Sequence, residues 1–326
     1  MVLHINESEV RTLLDMPAAI AAVEQISRKQ SAGEAVVHSR RRIEFPGGSF
    51  FHYMAAADLV AGYTAAKLYT FVRGRIRFVV LLYRMDTGEM AAMIEADVLG
   101  QLRTGAASGV ATKYLSRPDA KVAAIIGTGG QARTQLAAVA AVRKLTSARA
   151  YGRNPERRAK FCREMSERLG IPVSEATSSA AAVQDADIIC TATTASQTVL
   201  HGADLPQGVH LNAIGANHAH KRELDETAVS RSSVIFTDSL DQARQEAGDL
   251  ILAFAADESR WSAVGELHQL VSGKLPGRQN NSQITLFKSN GLAVWDLAAA
   301  VHVYQGAKEK NLGRELPLWA TEQGGG

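Results

Sequence analysis

The chain has few cysteines and almost no excess of charge. Cys162 and Cys190 are its only two cysteines, too few for a disulfide framework or a cysteine metal cluster. The 36 basic and 33 acidic residues leave a net charge of +3, and the basic residues are scattered along the chain. A nearly balanced, dispersed charge argues against nucleic acid as a partner.

Long hydrophobic runs are also missing. No segment approaches the ~20 consecutive apolar residues that a membrane-spanning helix needs. The amino-terminal residues lack the charged head, apolar stretch and small-residue cleavage site of a signal peptide. We therefore expect a cytoplasmic protein without a membrane partner.

The first third of the chain predicts a helix followed by a sheet. Asp15 and Pro17 are typical of a helix start, and apolar spacing continues that helix to about Gly33. From Val36 to Glu95 the period changes to that of short strands with tight turns, which favours a largely antiparallel sheet. The predicted strands are 41–45, 50–54, 64–71, 76–85 and 89–94. A further helix is predicted from Asp97, as its N-cap, to Ser116.

After Pro118 the pattern becomes an alternation of apolar strands and amphipathic helices. Such alternation is typical of a parallel sheet covered by helices on both faces. The predicted strands are 122–126, 148–151, 188–191, 209–214, 234–237 and 284–287, and a last helix is predicted over 291–305. The fold class is therefore α/β: a Rossmann-type doubly wound parallel sheet over 118–296, plus an α+β domain with a mainly antiparallel sheet, formed by 1–117 and 297–326.

A glycine turn follows the first strand of the parallel sheet. It reads Gly127-Thr128-Gly129-Gly130-Gln131-Ala132 and stands directly before a helix. The first glycine permits the tight turn, the second lets backbone approach a pyrophosphate, and Ala132 allows close helix packing. Helix amide groups that lack partners then face the phosphates. The turn predicts a site for a nicotinamide dinucleotide.

The end of the next strand bears on which dinucleotide is bound. NAD sites usually present an acidic residue there, whereas this chain has Tyr151-Gly152-Arg153-Asn154-Pro155. Arg153 can pair with a 2′-phosphate, and Asn154 lies beside it. We expect NADP(H) to be preferred, with NAD(H) as the alternative.

Several ordered motifs resemble the ornithine cyclodeaminase/mu-crystallin family. They run from the arginines at 40–42 to Asp296. They are Lys67-Leu-Tyr, Leu102-Arg103-Thr104-Gly-Ala-Ala, the glycine turn, Leu211-Asn-Ala-Ile-Gly215-Ala-Asn217, Arg222-Glu-Leu-Asp, Gly248-Asp249 and Phe287-Lys-Ser289-Asn-Gly-Leu-Ala-Val-Trp-Asp296.

The resemblance implies a homodimer whose amino-terminal sheet forms the interface and whose substrate lies between that sheet and the dinucleotide domain. Family members bind a small amino or imino acid by its carboxylate. The residues implied here are Arg41 (Arg40 if the loop aligns differently), Lys67 and Arg103, and Asn217 and Asn290 are expected beside the substrate. A guanidinium fork suits a planar carboxylate, and a lysine adds a movable proton.

The resemblance also assigns residues to the coenzyme. Gly130 and Gln131 are expected at the pyrophosphate. The residues expected around the nicotinamide half are Thr193, Asn212, Ala213, Ile214 and Ser289.

Three positions depart from the cyclodeaminase pattern. Asn217 replaces an aspartate that serves there as a base, and an amide has no useful basicity. His52 replaces a glutamate, and it either touches the substrate or packs on the sheet. Arg153 follows Gly152 where NAD-using members have an aspartate. The first and third departures resemble the ketimine reductases.

We therefore expect NADPH-dependent reduction of a cyclic ketimine acid, 1-pyrroline-2-carboxylate or 1-piperideine-2-carboxylate, to L-proline or L-pipecolate, with Lys67 as the catalytic residue. One alternative is an ornithine cyclodeaminase or amino-acid dehydrogenase, and another is a non-catalytic NADP-binding protein similar to mu-crystallin. His218 and His220 flank Ala219 without a third suitably spaced ligand, so no metal is expected.

Overall fold

The structure is a computed structural model that describes residues 1–318 and contains two eight-stranded sheets connected by helices. In chain order the strands are β1 (Val2–Ile5), β2 (Ala35–Val37), β3 (Arg41–Phe45), β4 (Ser49–Asp58), β5 (Tyr63–Val72), β6 (Arg75–Arg84), β7 (Met90–Glu95), β8 (Val122–Ile126), β9 (Ser147–Tyr151), β10 (Val173–Glu175), β11 (Ile188–Thr191), β12 (His210–Ala213), β13 (Ser232–Thr237), β14 (Val264–Glu266), β15 (Ile284–Lys288) and β16 (Arg314–Leu316).

The helices lie between and against these sheets. In chain order they are α1 (Glu7–Leu13), α2 (Met16–Ser31), α3 (Asp97–Leu115), α4 (Gly130–Val142), α5 (Pro155–Leu169), α6 (Ser179–Val183), α7 (Glu226–Arg231), α8 (Leu240–Glu246), α9 (Gly248–Phe254), α10 (Leu267–Val271) and α11 (Ala293–Glu309). No helix within 1–318 is both long and apolar enough to cross a membrane.

The first sheet has the strand order β16-β1-β7-β6-β5-β4-β2, with β3 paired to β4. Its pairs are antiparallel except β1 with β7. Burial alternates along β4, where His52, Met54 and Ala56 are buried and Tyr53 and Ala55 are exposed. This is the period of a sheet with one covered face, and the predicted mainly antiparallel sheet is confirmed.

The second sheet is parallel throughout, in the order β10-β9-β8-β11-β12-β15-β13-β14. Every residue of β11, β12 and β15 is buried, as expected where helices cover both faces. The order reverses direction between β8 and β11, as in a doubly wound sheet. The predicted α/β fold class is confirmed.

Two helix starts differ in how they are capped. Asp15 caps α2 as predicted, because its Oδ1 accepts a hydrogen bond from the Ala18 amide at 2.8 Å. The predicted N-cap at Asp97 is wrong: Ala96 occupies that position and provides no side-chain cap. Instead the carboxylate of Glu7, on α1, accepts from the Asp97 and Val98 amides. A partner 90 residues away in the sequence supplies the cap, and local spacing cannot reveal it.

One hydrophobic core continues from the first sheet into the second. It joins residues such as Val80 and Ile94 of the first sheet to Ile125 of the second, through apolar side chains of α2, α3, α4 and α11. A separate core covers the opposite face of the second sheet. The shared core fixes the position of one sheet relative to the other.

Five short strands, β1, β2, β10, β14 and β16, were not predicted. Each has only three or four residues, too few for a hydrophobic period to become visible. The boundary predicted at 296/297 falls inside α11, so the division into two domains stays a prediction. Residues 319–326 lie outside the described residues.

Candidate functional site

The carboxyl ends of the parallel strands bring together most of the predicted site residues. Gly127 follows β8, Gly152 follows β9, Thr193 follows β11, Gly215 follows β12 and Ser289 follows β15. All these strands run in one direction, so these residues lie along a single edge of the sheet. In open α/β folds this edge is where ligands bind.

The glycine turn at this edge depends on two glycines for different reasons. Gly127 has φ +115°, and a Cβ there would lie 2.4 Å from the Ala192 carbonyl oxygen. Gly129 has an ordinary φ and would place a Cβ in open space, directly before the first turn of α4. No side chain caps that turn, so its amides remain available to an anion.

The other residues of the turn surround this helix start. Ala132 is fully buried and lets α4 pack closely. A Cβ on Gly130 would lie 3.0 Å from Gln101 Oε1 on α3, so the two helices meet at this point. Thr128 lines the open cleft in front of the turn, and Gln131 is half-buried at the start of α4.

The cleft has a volume of about 810 Å³ and is lined by three segments, 126–129, 151–155 with Arg157, and 192–199. None of these lining residues carries a carboxylate. Arg153 is exposed in the cleft wall, whereas the Asn154 side chain accepts from the Arg157 amide at 2.8 Å and caps α5. The cleft thus offers backbone amides at one end and guanidinium groups at the other.

Asn212, Ala213 and Ile214 are not among the residues that line this cleft. The Asn212 side chain is buried and donates to Thr112 Oγ1 at 3.0 Å, toward α3. Thr193, by contrast, does line the cleft. Asn212 and Ala213 of β12 are thus buried behind the cleft, whereas Thr193, in the loop after β11, reaches it.

A buried charged cluster lies where the first sheet, α3 and α11 meet. Asp296 Oδ1 accepts from Lys67 Nζ at 2.7 Å and from Arg103 Nε at 2.9 Å. The three side chains are 1–7% exposed. Within the described chain, Arg103 Nη1 and Asp296 Oδ2 have no hydrogen-bond partner. A buried polar atom without a partner is costly, so a ligand would stabilise both atoms.

Arg40 and Asn290 extend this cluster. Arg40 is buried, donates from Nη2 to the Asn290 carbonyl oxygen at 2.6 Å and pairs with Glu246 at 3.2 Å. The side-chain amide of Asn290 is buried and has no partner among residues 1–318. A Cβ on Gly291 would lie 2.5 Å from Arg103 Nη1, so the backbone after Asn290 lies against both arginines.

Arg41 lies outside this cluster, and the register of the sheet explains why. Arg41 pairs with Tyr53 on β4, and both side chains are exposed. The covered face of β4 carries His52 and Met54 instead, and Met54 pairs with Lys67. The sequence favoured Arg41 over Arg40, but the structure brings Arg40 to Lys67, Arg103 and Asn290.

Burial changes the acidity of Lys67. Loss of water lowers the pKa of its ammonium group from 10.5 to about 8, although Asp296 acts to raise it, and Arg103 and Arg40 lower it further. The ammonium group also lies 4.9 Å from the centre of the Phe78 ring. Lys67 is therefore still protonated at neutral pH but gives up its proton more readily than a surface lysine.

Glu223 connects the ends of β11 and β12, a role that the sequence did not reveal. Its buried carboxylate accepts from Thr191 Oγ1 at 2.8 Å and from the Thr193 and Gly215 amides, each at 2.7 Å. A Cβ on Gly215 would lie 2.4 Å from Glu223 Oε1, so only glycine fits there. Burial raises the pKa of Glu223, and the nearby Asp249 raises it as well.

Asp249 and Lys288 support Glu223 from behind. Asp249 Oδ1 accepts from the Glu223 and Leu224 amides at 2.6 and 2.9 Å. Lys288 Nζ lies 3.0 Å from the second oxygen of Asp249, and both side chains are fully buried. In the sequence, Glu223, Asp249 and Lys288 stand out only because they lie in short polar motifs between apolar segments. Asp296 gave the same signal, as a lone acid in the apolar start of α11.

The three histidines singled out in the sequence lie in two places. His52 is buried in the first sheet, against Arg42 and Tyr69. The rings of His218 and His220 are 5.6 Å apart, and Asn217, which is half-buried, lies 2.9 Å from His218 Nδ1. In the described part of the chain, no group of three or more metal-ligating side chains is found. The absence of a metal stays a prediction.

Comparison with known proteins places this chain among enzymes. The model of the ornithine cyclodeaminase/mu-crystallin family matches residues 1–311. The chain is 34% identical over 325 residues to a Delta(1)-pyrroline-2-carboxylate reductase of Bacillus thuringiensis subsp. konkukian, covering 96% of this chain and 99% of the relative.

Two solved structures are similar over nearly the whole chain. The Delta(1)-pyrroline-2-carboxylate reductase of Thermococcus litoralis, in complex with NADH and L-proline, has a TM-score of 0.93 and 36% identity, over 97% of this chain and 100% of its own. An archaeal alanine dehydrogenase dimer with bound NAD has a TM-score of 0.91 and 29% identity, over 98% of this chain and 99% of its own.

Gly127 and Gly129 should differ in how much an added Cβ destabilises the fold. We expect Gly127→Ala to lower the free energy of unfolding by at least ~2 kcal/mol, because its φ and the Ala192 carbonyl both exclude a Cβ. Gly129→Ala should stay within ~0.5 kcal/mol of wild type, since its Cβ would meet nothing. Urea unfolding of both variants measures this difference, and equal stabilities would contradict the geometry.

Proposed function

This chain belongs to the ornithine cyclodeaminase/mu-crystallin family and is an NAD(P)-dependent oxidoreductase acting on CH–NH or C=N bonds; from that premise, we propose that it reduces a cyclic ketimine acid. The substrate would be 1-pyrroline-2-carboxylate or 1-piperideine-2-carboxylate, and the product L-proline or L-pipecolate. The names of the similar reductases favour the five-membered ring.

The observation that carries the proposal is the buried cluster around Lys67. Arg40 and Arg103 bring guanidinium groups to an organic acid, and Lys67 adds a proton that its lowered pKa makes available. Asn290 contributes a side-chain amide without a partner in the described chain, and Asn217 lies in the loop after β12, at the same edge of the second sheet. These groups suit a small anion that also carries a basic nitrogen.

The cleft in front of the glycine turn fits a nicotinamide dinucleotide. The uncapped start of α4 and the open space at Gly129 suit the pyrophosphate, and Thr128, Gly130 and Gln131 are proposed beside it, whereas Thr193 is proposed beside the nicotinamide half. When bound, the reduced coenzyme supplies a hydride to the carbon of the C=N bond. Arg40 and Arg103 would orient the substrate carboxylate, and Lys67 would donate a proton to the nitrogen.

The absence of a carboxylate at 217 supports reduction over deamination. Asn217 has no useful basicity and cannot take a proton from an amine. Reduction of an imine needs a proton donor rather than a base at this stage, and Lys67 meets that need. An ornithine cyclodeaminase activity is therefore the weaker proposal. An amino-acid dehydrogenase activity remains a second candidate because of the similarity to alanine dehydrogenase.

We propose NADPH as the preferred coenzyme, with NADH as a second one. Support comes from Arg153 and Arg157 in the cleft wall and from the lack of a lining carboxylate that would repel a 2′-phosphate. NADH is kept as the second candidate because the similar reductase of Thermococcus litoralis is in complex with NADH.

A cytoplasmic homodimer is also proposed. The outer side of the first sheet exposes apolar side chains, among them Ile43 and Tyr53, and a similar alanine dehydrogenase is a dimer. Exposed apolar residues on one face are typical of a subunit interface.

The substrate proposal is tested by initial rates with NADPH or NADH against both cyclic imino acids, pyruvate with ammonia, and L-ornithine with NAD. We expect rapid coenzyme oxidation with a cyclic imine. Lys67→Met should lower that kcat/KM by about a hundredfold or more, because the proton donor is lost. Lys144→Met, on an exposed residue, is the matched control.

The other outcomes would contradict the proposal in different ways. Oxidation only with pyruvate and ammonia would replace the proposal by an amino-acid dehydrogenase. Ammonia release from L-ornithine would indicate a cyclodeaminase. Unchanged activity in Lys67→Met would remove the proposed proton donor, and binding without any turnover would favour a ligand-binding protein.

The pH dependence of the rate should follow Lys67. Because the protonated lysine is the active form, we expect kcat/KM to fall as pH rises through about 8. Asp296→Asn should shift this fall to lower pH, because Asp296 raises the pKa of Lys67. Asp86→Asn removes the carboxylate of a surface ion pair and should leave the profile unchanged. A profile in Asp296→Asn that matches wild type would contradict this role.

Arg153 should determine coenzyme preference. We expect Arg153→Ser to lower kcat/KM for NADPH by about tenfold to a hundredfold, the usual worth of a charged hydrogen bond, with little change for NADH. Arg163→Ser, on an exposed face of α5, is the control. Equal losses with both coenzymes would show that Arg153 does not contact the 2′-phosphate.

A further inference from the structure

A chain of hydrogen bonds runs across the covered face of the first sheet into the charged cluster. Arg42 Nε donates to His52 Nε2 at 2.6 Å, and His52 Nδ1 is hydrogen-bonded to the Tyr69 hydroxyl. The three residues come from β3, β4 and β5, at directly paired positions: Arg42 with His52, and His52 with Tyr69. None of them is used by the proposed reaction so far.

The direction of this chain follows from Arg42. A guanidinium group has only donors, so His52 Nε2 must accept. Burial, together with the nearby Arg40 and Arg42, lowers the pKa of His52 to about 3, so the ring is neutral and carries its one hydrogen on Nδ1. His52 therefore donates to the Tyr69 oxygen, and Tyr69 must direct its own hydrogen elsewhere.

The side chains are held firmly in this arrangement. The Phe50 ring stacks on His52 with centroids 4.4 Å apart, and the Arg42 guanidinium lies 5.4 Å from the centre of the Phe50 ring. Tyr69 packs against Phe78, with centroids 4.7 Å apart. Aromatic packing on both sides limits rotation of the His52 and Tyr69 rings, so the direction of the bonds is kept.

Tyr69 lies on the same side of the sheet as the charged cluster. It lies two residues after Lys67 on β5, so both side chains are on the same face of the sheet. Both are buried, and Arg40 and Arg103 act on the pKa of the Tyr69 hydroxyl. Among the hydrogen bonds within 1–318, none gives the hydroxyl hydrogen an acceptor. A buried donor without an acceptor, beside two guanidinium groups, suits an anionic ligand.

We propose that Tyr69, oriented by His52 and Arg42, donates a hydrogen bond to the substrate carboxylate. This rests on the proposed function only in taking the ligand to be a carboxylate. Tyr69 thereby becomes a substrate-binding residue, and His52 and Arg42 are positioning residues. Burial raises the pKa of Tyr69, which makes it a poor acid and leaves proton donation to Lys67.

The test uses calorimetric binding to coenzyme-loaded protein, with pyrrole-2-carboxylate as the charged probe and pyrrole-2-carboxamide as the neutral one. Tyr69→Phe should weaken binding of the carboxylate about tenfold and leave the carboxamide nearly unchanged, because only the charged hydrogen bond is lost. In turnover, KM should rise by a similar factor with kcat within about twofold. Tyr83→Phe, on β6 of the same sheet, is the matched control.

Variants of Arg42 and His52 test whether His52 donates its hydrogen bond to Tyr69. Arg42→Met releases His52 Nε2, so the ring can accept from Tyr69 instead, and carboxylate affinity should fall several-fold. Arg77→Met removes an exposed arginine from the same sheet and should change nothing. His52→Asn keeps a donor near the position of Nδ1 and should retain more affinity than His52→Leu.

Three outcomes would overturn the proposal: equal losses for both probes in Tyr69→Phe, no loss for either, or a fall in kcat with KM unchanged, which would make Tyr69 a proton donor. If wild-type protein binds neither pyrrole but binds pyruvate, the ring assignment fails, and the comparison is decided with pyruvate and pyruvamide. If no carboxylate binds, the role of Tyr69 is refuted as well.

Discussion

The carboxylate of Asp296 is the contact on which the arrangement of the site depends. One oxygen accepts from a lysine of the first sheet and from an arginine of α3, while Asp296 itself belongs to α11. Three elements distant in sequence thus meet at one buried atom. Removing one member of a buried ion pair typically costs ~3–5 kcal/mol, because the remaining charge loses its compensation. The cluster therefore fixes the sheet and both helices as well as holding charges ready for a ligand.

The elements and the glycine turn were predictable because each has a short-range cause. The turn at Gly127 needs a residue that accepts a positive φ, and β8 directly before it is apolar throughout. The antiparallel sheet was predicted from the period of short strands with tight turns between them, such as Asp86-Thr87-Gly88 between β6 and β7. Such periods are local, and they carry the fold class without knowledge of tertiary contacts.

The finer features depend on partners far away in the sequence. Whether Arg40 or Arg41 points inward is decided by the pairing of β3 with β4, since a shift of one residue exchanges the two faces. Asn212 was expected near the coenzyme, but its side chain donates a hydrogen bond to Thr112, a residue of α3. The roles of Asp296 and Glu223 arise from contacts with segments that no spacing rule connects to them.

The core shared by the two sheets has a consequence for how ligands enter and leave. Separation of the two sheets would expose apolar side chains of their shared core to water. The free-energy cost of that exposure is ~25 cal/mol for each Å² of apolar surface. We therefore expect ligands to reach the buried charged cluster through the loops that follow the parallel strands. These loops bury less apolar surface than the core does. Loop motion at this edge would leave the shared core intact, which is the kind of step that sets the rate of product release in many enzymes.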